Sequence, residues 1–166
     1  MQTEINPTRE RSTSVKAVNV IIIVVTTVIT ALIAVDRKDT MAMDLAQFQL
    51  KNRLLLIFSP DDNDSLFKKL QSEIIAQEAE VEDRDLVVFE ILERGQSRMN
   101  TAHLDQEAVD SIRKRLAVPQ STFRVILIGK DGGMKLERDD QVGLEEIFER
   151  IDSMPMRKNE IRQKNQ

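Results

Sequence analysis

Ser59, Pro60, Asp61, Asp62, Asn63 and Asp64 place one hydroxyl and three carboxylates within six consecutive residues. Paired acids can hold a hard cation or divide the roles of general acid and base. The same residues can also turn the chain and cap a following helix, whose N-terminus favours negative charge. Asp61, Asn63 and Ser65 have the alternate spacing of a calcium loop, but Leu66 stands where that loop requires Gly and Ser72 where it requires a bidentate Glu. Simple solvation of the loop is therefore the expectation, with no metal ligands. His103 is the single histidine, without a second imidazole for zinc or a serine and carboxylate at triad spacing. Gly129, Lys130, Asp131, Gly132 and Gly133 lack the leading Gly-x-x-x-x and the trailing Ser or Thr of a phosphate loop, and read as a hairpin turn. No catalytic set and no cofactor site emerge from these spacings.

Composition narrows the chemistry further. The 166-residue chain contains no Cys, which removes disulfides, thiolate metal ligands and thiol nucleophiles together. Its length suits one domain with short appendages, and 41% hydrophobic with 31% charged residues suits a packed core under a solvated surface. A net charge of −4 argues against nucleic acid as a general partner, because neutralising phosphates requires a clustered basic excess. Residues 36–155 carry 17 Lys or Arg against 25 Asp or Glu, whereas 156–166 carry four against one. An acidic domain with a short basic tail is expected. Arg157, Lys158, Arg162 and Lys164 in that tail suit either an acidic partner or lipid surface, or a solvated helix end.

Ahead of the domain, a polar tail over 1–17 leads into Val18–Val35, an uninterrupted uncharged run bounded by Lys16 and by Asp36, Arg37 and Lys38. As a helix it would extend roughly 27 Å, against a hydrocarbon core of about 30 Å. It is apolar on every face, unlike an amphipathic core helix. The spacing predicts an apolar helix that anchors the chain in a membrane, with 36–42 as a linker and the domain outside the cytoplasm. A cleaved signal peptide, which would leave the domain secreted, is the rival reading. Leu32 and Ile29 make poor residues at minus three from Ala34 and Ala31, and the run exceeds the usual h-region of about 7 to 15 residues.

The elements that would position Ser59–Asp64 follow from periodicity. Leu54–Phe58 is a short apolar run that suits a strand buried on both faces. Leu66, Phe67, Leu70, Ile74 and Ile75 mark one face of a helix from Ser65 to about Glu82. Leu86–Leu92 is a second apolar run, completing a βαβ unit with parallel strands. Residues 95–102 read as a polar connection. Ala108, Val109, Ile112 and Leu116 mark a second helix that ends before Pro119. Phe123–Ile128 and Met134–Glu137 form a hairpin, and Leu144, Ile147, Phe148 and Ile151 mark a last helix stopping at Pro155. The expected class is α/β, a thioredoxin-like β-α-β-α-β-β-α sandwich over 43–155 with a mixed four-stranded sheet, another small α/β sheet being the alternative that the same order allows.

The blocks DLAQFQLKNRLLLIFSP, DRDLVVFEIL, FRVILIGKDGGMKL and IDSMPMRKNEIR resemble the family called domain of unknown function 4174, over most of residues 43–162. The resemblance implies a thioredoxin-like or peroxiredoxin-like fold without an established biochemical function. The family is widespread in bacteria and is similar to domains repeated in some animal extracellular matrix proteins. The resemblance also puts Ser59–Asp64 where a thioredoxin carries its Cys-x-x-Cys pair, and makes Pro119 the counterpart of the thioredoxin proline that precedes the third strand. No other side chain performs thiol–disulfide exchange. The expected function is therefore a non-redox binding or scaffold module displayed from the membrane. It would meet a protein partner through its acidic surface or through Ser59, Pro60, Asp61, Asp62, Asp64 and Pro119. The alternative is a carboxylate enzyme in which Asp61 and Asp62 hold a divalent ion. No small-molecule substrate is indicated by either pattern.

Overall fold

The computed structural model describes residues 43–166, so the apolar run Val18–Val35 lies outside the described residues. Among the described residues, no helix is long and apolar enough to cross a membrane. The spine is β1, Arg53–Asp61, which pairs in parallel with β2, Leu86–Arg94, and antiparallel with β5, Arg124–Ile128. Leu55, Leu56, Ile57 and Phe58 have no exposed surface, as expected of a strand covered on both sides. Their side chains alternate between two cores. Leu55 and Ile57 join Phe67, Leu70, Val125, Leu127, Ile147, Phe148 and Ile151. Leu54, Leu56 and Phe58 join Phe89, Ile91, Val109, Ile112, Ile126 and a 3-10 turn at Leu45–Phe48.

Among the described residues the sheet has six strands, in the order β4 (Ala102–His103), β3 (Arg98–Met99), β2, β1, β5 and β6 (Met134–Arg138), where four were expected. The additional strands are β3, Arg98–Met99, and β4, Ala102–His103, within the segment that reads as a polar connection. Two-residue strands are too short for alternation to show in sequence. Side chains hold them in place instead. Arg98 donates to Glu90 at 2.6 Å, and Asn100 takes a left-handed conformation (φ 50°) in which its side chain accepts the Val88 N–H at 2.9 Å. The hairpin of β5 and β6, Met134–Arg138, turns at Gly129–Gly133 as its composition implies, with Gly132 at φ 79°.

The helix expected over 65–82 is two helices, α1, Ser65–Ala76, and α2, Glu78–Asp83, divided at Gln77 (φ −124°, ψ 39°). Ile75, assigned to the apolar face, is 71% exposed. Phe67, Leu70 and Ile74 already make the stripe at spacings of three and four, and Ile75 falls about 100° away from it. Helices α3, Gln106–Arg115, and α4, Leu144–Asp152, follow the expected patterns.

The chain does not become a tail after Pro155. That residue opens α5, Pro155–Lys164. Pro is tolerated in a first helical turn because its missing N–H would have no intrahelical acceptor there. Arg157, read as part of a solvated basic end, is 3% exposed. Its guanidinium bonds the Asp83 carboxylate, the Asp83 carbonyl at 2.7 Å and Asp152 at 3.1 Å. Asp83 also accepts from Lys164, while Arg84 reaches Asp152 at 2.7 Å and lies 4.1 Å over the Phe148 ring. These ion pairs fasten α5 to the end of α2.

Lys164 and then Arg157 hold the Asp83 carboxyl down at about 2, against an ordinary 3.8. A depressed carboxylate stabilises the fold fully above its unfolded value and loses that contribution as pH falls through the folded one. Asp83→Asn is expected to lower the urea midpoint of the full chain at pH 6, with the difference shrinking between about pH 4 and pH 2. An undiminished difference at pH 2 contradicts the assignment.

Candidate functional site

The C-terminal ends of β1 and β2 form one rim of the sheet, the edge where α/β folds generally present ligands. Because β5 runs antiparallel to β1, its entry, residues 117–123, lies at the same edge. Ser59–Asp64 and Pro119 are thus brought to one edge. The register continues through Ser59, opposite Leu92, and Asp61, opposite Arg94, so the first half of the expected loop is strand. Pro60 is tolerated there because the ladder with β5 ends at Phe58, where no further donor is needed.

Each rim residue has a defined setting. Ser59 is fully buried, and its hydroxyl donates to the Asp61 carbonyl at 2.8 Å. Asp61 accepts from Arg94 at 2.6 Å through one oxygen and from the Asn63 N–H at 2.9 Å through the other. The Arg94 guanidinium, with help from that N–H, holds the Asp61 carboxyl below the usual carboxylate range. Asp64 caps α1, accepting from the N–H groups of Leu66 at 2.9 Å and Phe67 at 3.0 Å. Such caps contribute about 1 kcal/mol. Asp62 and Asn63 stand exposed at the tip, joined at 3.0 Å, with Lys68 donating to Asn63 at 2.9 Å. Among the described residues, no three His, Asp or Glu side chains converge in a way that would hold a metal ion.

On the other side of the rim, Pro119 is exposed and its preceding peptide is trans. Ala117 (φ 52°) and Ser121 (φ 54°) both take left-handed conformations around it. Two side chains outside the sequence reading hold this bend. Arg113 donates to the Pro119 carbonyl at 3.0 Å and to the Ile91 carbonyl at 3.4 Å, with its guanidinium 5.4 Å from the Phe58 ring centre. Burial pulls its pKa down, opposed by the negative charges of Glu93 and Asp110. Glu93 accepts the Ser121 N–H at 2.5 Å and its hydroxyl at 3.2 Å. The bend borders a recess of about 380 Å³ lined by Arg113, Lys114, Val118, Pro119 and Gln120 among others. One sequence signal does mark Arg113: it follows Val109 by four residues, which puts a charge on the apolar stripe of α3.

Residues 44–160 match the family described as Domain of unknown function (DUF4174). The chain belongs to this family. Its fold is similar to that of peroxiredoxins, which are thioredoxin-like. The reduced 2-Cys peroxiredoxin of Plasmodium vivax superposes with a TM-score of 0.51 at 18% identity, covering 70% of this chain and 85% of that one. Thioredoxin peroxidase I of Plasmodium yoelii gives 0.52 at 16% identity, covering 70% and 80%. At these identities the likeness is one of fold. The sushi repeat-containing protein SRPX2 of Xenopus laevis is 27% identical over 120 residues, 70% of this chain. The chain spans about a quarter of that relative's length, 26%.

Proposed function

We propose that this DUF4174 domain is a non-redox binding module that presents the rim of its sheet, with Asp62, Asn63 and Pro119 outermost, to a protein partner. The observation that carries the reading is the state of the rim: it has no thiol, and its inner groups are committed to one another. Both oxygens of Asp61 are engaged, and one oxygen of Asp64 already caps α1. A rim so fixed offers a preformed shape, which lowers the cost of ordering on association. The matched stretch of the Xenopus laevis relative, a quarter of a longer protein, also favours a module that is combined with others. The carboxylate alternative would first have to release Asp61 from Arg94.

Display from a membrane is part of the same proposal and rests on Val18–Val35, which is long and apolar enough to span one. The domain then stands outside the cytoplasm. Photocrosslinking residues placed at Asp62 or, as a control, at Glu145 of the full chain test the proposal in intact cells. Asp62 is expected to give a discrete protein adduct and Glu145 none, with protease added outside removing the domain. Adducts from Glu145 but not Asp62 would sink the rim assignment. Protection of the domain until the membrane is opened would sink the display.

A further inference from the structure

The opposite end of β1 holds a second candidate site, about 26 Å from the rim at about 3.3 Å per residue. A cavity of about 270 Å³ there is lined by Arg53, Lys130, Lys135 and Arg150, with Met154, Pro155 and Met156 forming an apolar wall. Gly129, Asp131 and Ser153 complete its lining. We infer that this cavity is a binding site for a phosphate monoester carried on an apolar body.

The donor count singles out that chemistry. Arg53 is 1% exposed; one of its terminal nitrogens donates to the Arg84 carbonyl at 2.8 Å and the other to Glu160 at 3.1 Å, and its Nε–H is sealed from solvent, so it lends the cavity positive charge rather than a free donor. Lys130, 9% exposed, donates to Asp85 at 2.7 Å and to Glu160 at 2.8 Å, leaving one of its three protons. Lys135 donates to Asp131 at 2.6 Å and keeps two. Arg150 uses Nε on the Lys135 carbonyl at 2.9 Å, so its outer fork is anchored without being consumed. Arg150 forms no ion pair among the described residues.

The cavity also contains the start of α5. Its N-cap, Met154, offers no side-chain acceptor, so the first-turn N–H groups lack the usual capping partner. A ten-residue helix terminus of this kind favours an anion. Guanidinium fork, ammonium groups and helix N–H groups together exceed the two oxygens of a carboxylate and suit the three terminal oxygens of a phosphate monoester. Gly129 lets the Lys135 and Asp131 side chains pack directly against the backbone. A Cβ there would lie 2.6 Å from both Lys135 Cε and Asp131 Oδ1. The methionine and proline wall faces whatever carries the phosphate.

The full chain, isotope-labelled in a neutral detergent, would be titrated with phenyl phosphate, inorganic phosphate and benzoate while the Met156 and Arg157 amides are followed by NMR. Saturable shifts are expected with phenyl phosphate, with weaker binding by the other two, and a loss of affinity of about tenfold in Arg150→Gln. Lys135→Gln, on the exposed side of the hairpin, provides a second variant with the same expectation. Co-sedimentation with phosphatidylcholine vesicles, with and without phosphatidic acid, separates a lipid source from a soluble one. Binding of phosphatidic acid that both variants weaken identifies the lipid headgroup; binding of phenyl phosphate alone identifies a soluble ester. The inference is overturned if phenyl phosphate leaves those amides unmoved and phosphatidic acid adds no binding to the vesicles, or if both variants bind as the native chain does.

Discussion

Every other feature depends on β1 being buried along both faces and both edges. A strand in that position has no solvent-exposed alternative for its backbone, so its N–H and C=O groups must be met by β2 on one side and β5 on the other. A one-residue slip would exchange Leu55 and Ile57 with Leu54, Leu56 and Phe58 between two cores of different shape. Register is fixed accordingly, and with it the position of whatever follows the strand at either end. Ser59–Asp64 and Arg53 owe their placement to this one constraint.

The two ends of β1 use charge differently. At the rim, carboxylates are spent on local geometry: Asp64 on the first turn of α1, Asp61 on the turn and on Arg94, Glu93 on the backbone of Ser121. Short-range bonds of this kind shape a surface. At the far end, Arg53, Lys130 and Arg157 are buried among Glu160, Asp83, Asp85 and Asp152. Desolvating ions costs several kcal/mol each unless partners are well placed, and removing one partner of a buried pair typically costs about 3–5 kcal/mol. The cluster therefore specifies where α5 sits.

What the sequence disclosed follows the same division between local and distant interactions. Leu54–Phe58 and Leu86–Leu92 are legible as unbroken apolar runs, and the stripes of α1, α3 and α4 because burial repeats at a period of 3.6. The resemblance carried by DLAQFQLKNRLLLIFSP and its companion blocks led to the family and to the thioredoxin-like frame. Strands β3 and β4 were not legible, since two residues cannot display a period, and the break at Gln77 carries no Gly or Pro. Arg157 looked like a solvent residue because its partner Asp83 is 74 positions away, and Arg53 meets Glu160 across 107. Rim positions Ser59 and Asp61 were found through the end of the first strand, and Pro119 through the resemblance. Arg113 was marked only as a charge on the apolar stripe of α3, and Glu93 was hidden because it meets Ser121 across 28 positions.

A rim held by its own hydrogen bonds, without sulfur, should be rigid before any partner arrives. Amide hydrogen exchange on the full chain reads this directly at Asn63, Phe67 and Ser121, whose N–H groups donate to Asp61, Asp64 and Glu93. The account predicts exchange about a hundredfold or more slower than in an unstructured chain, equivalent to an opening cost of about 2.7 kcal/mol. Exchange of these three amides at the unstructured rate, with β1 still protected, would contradict it.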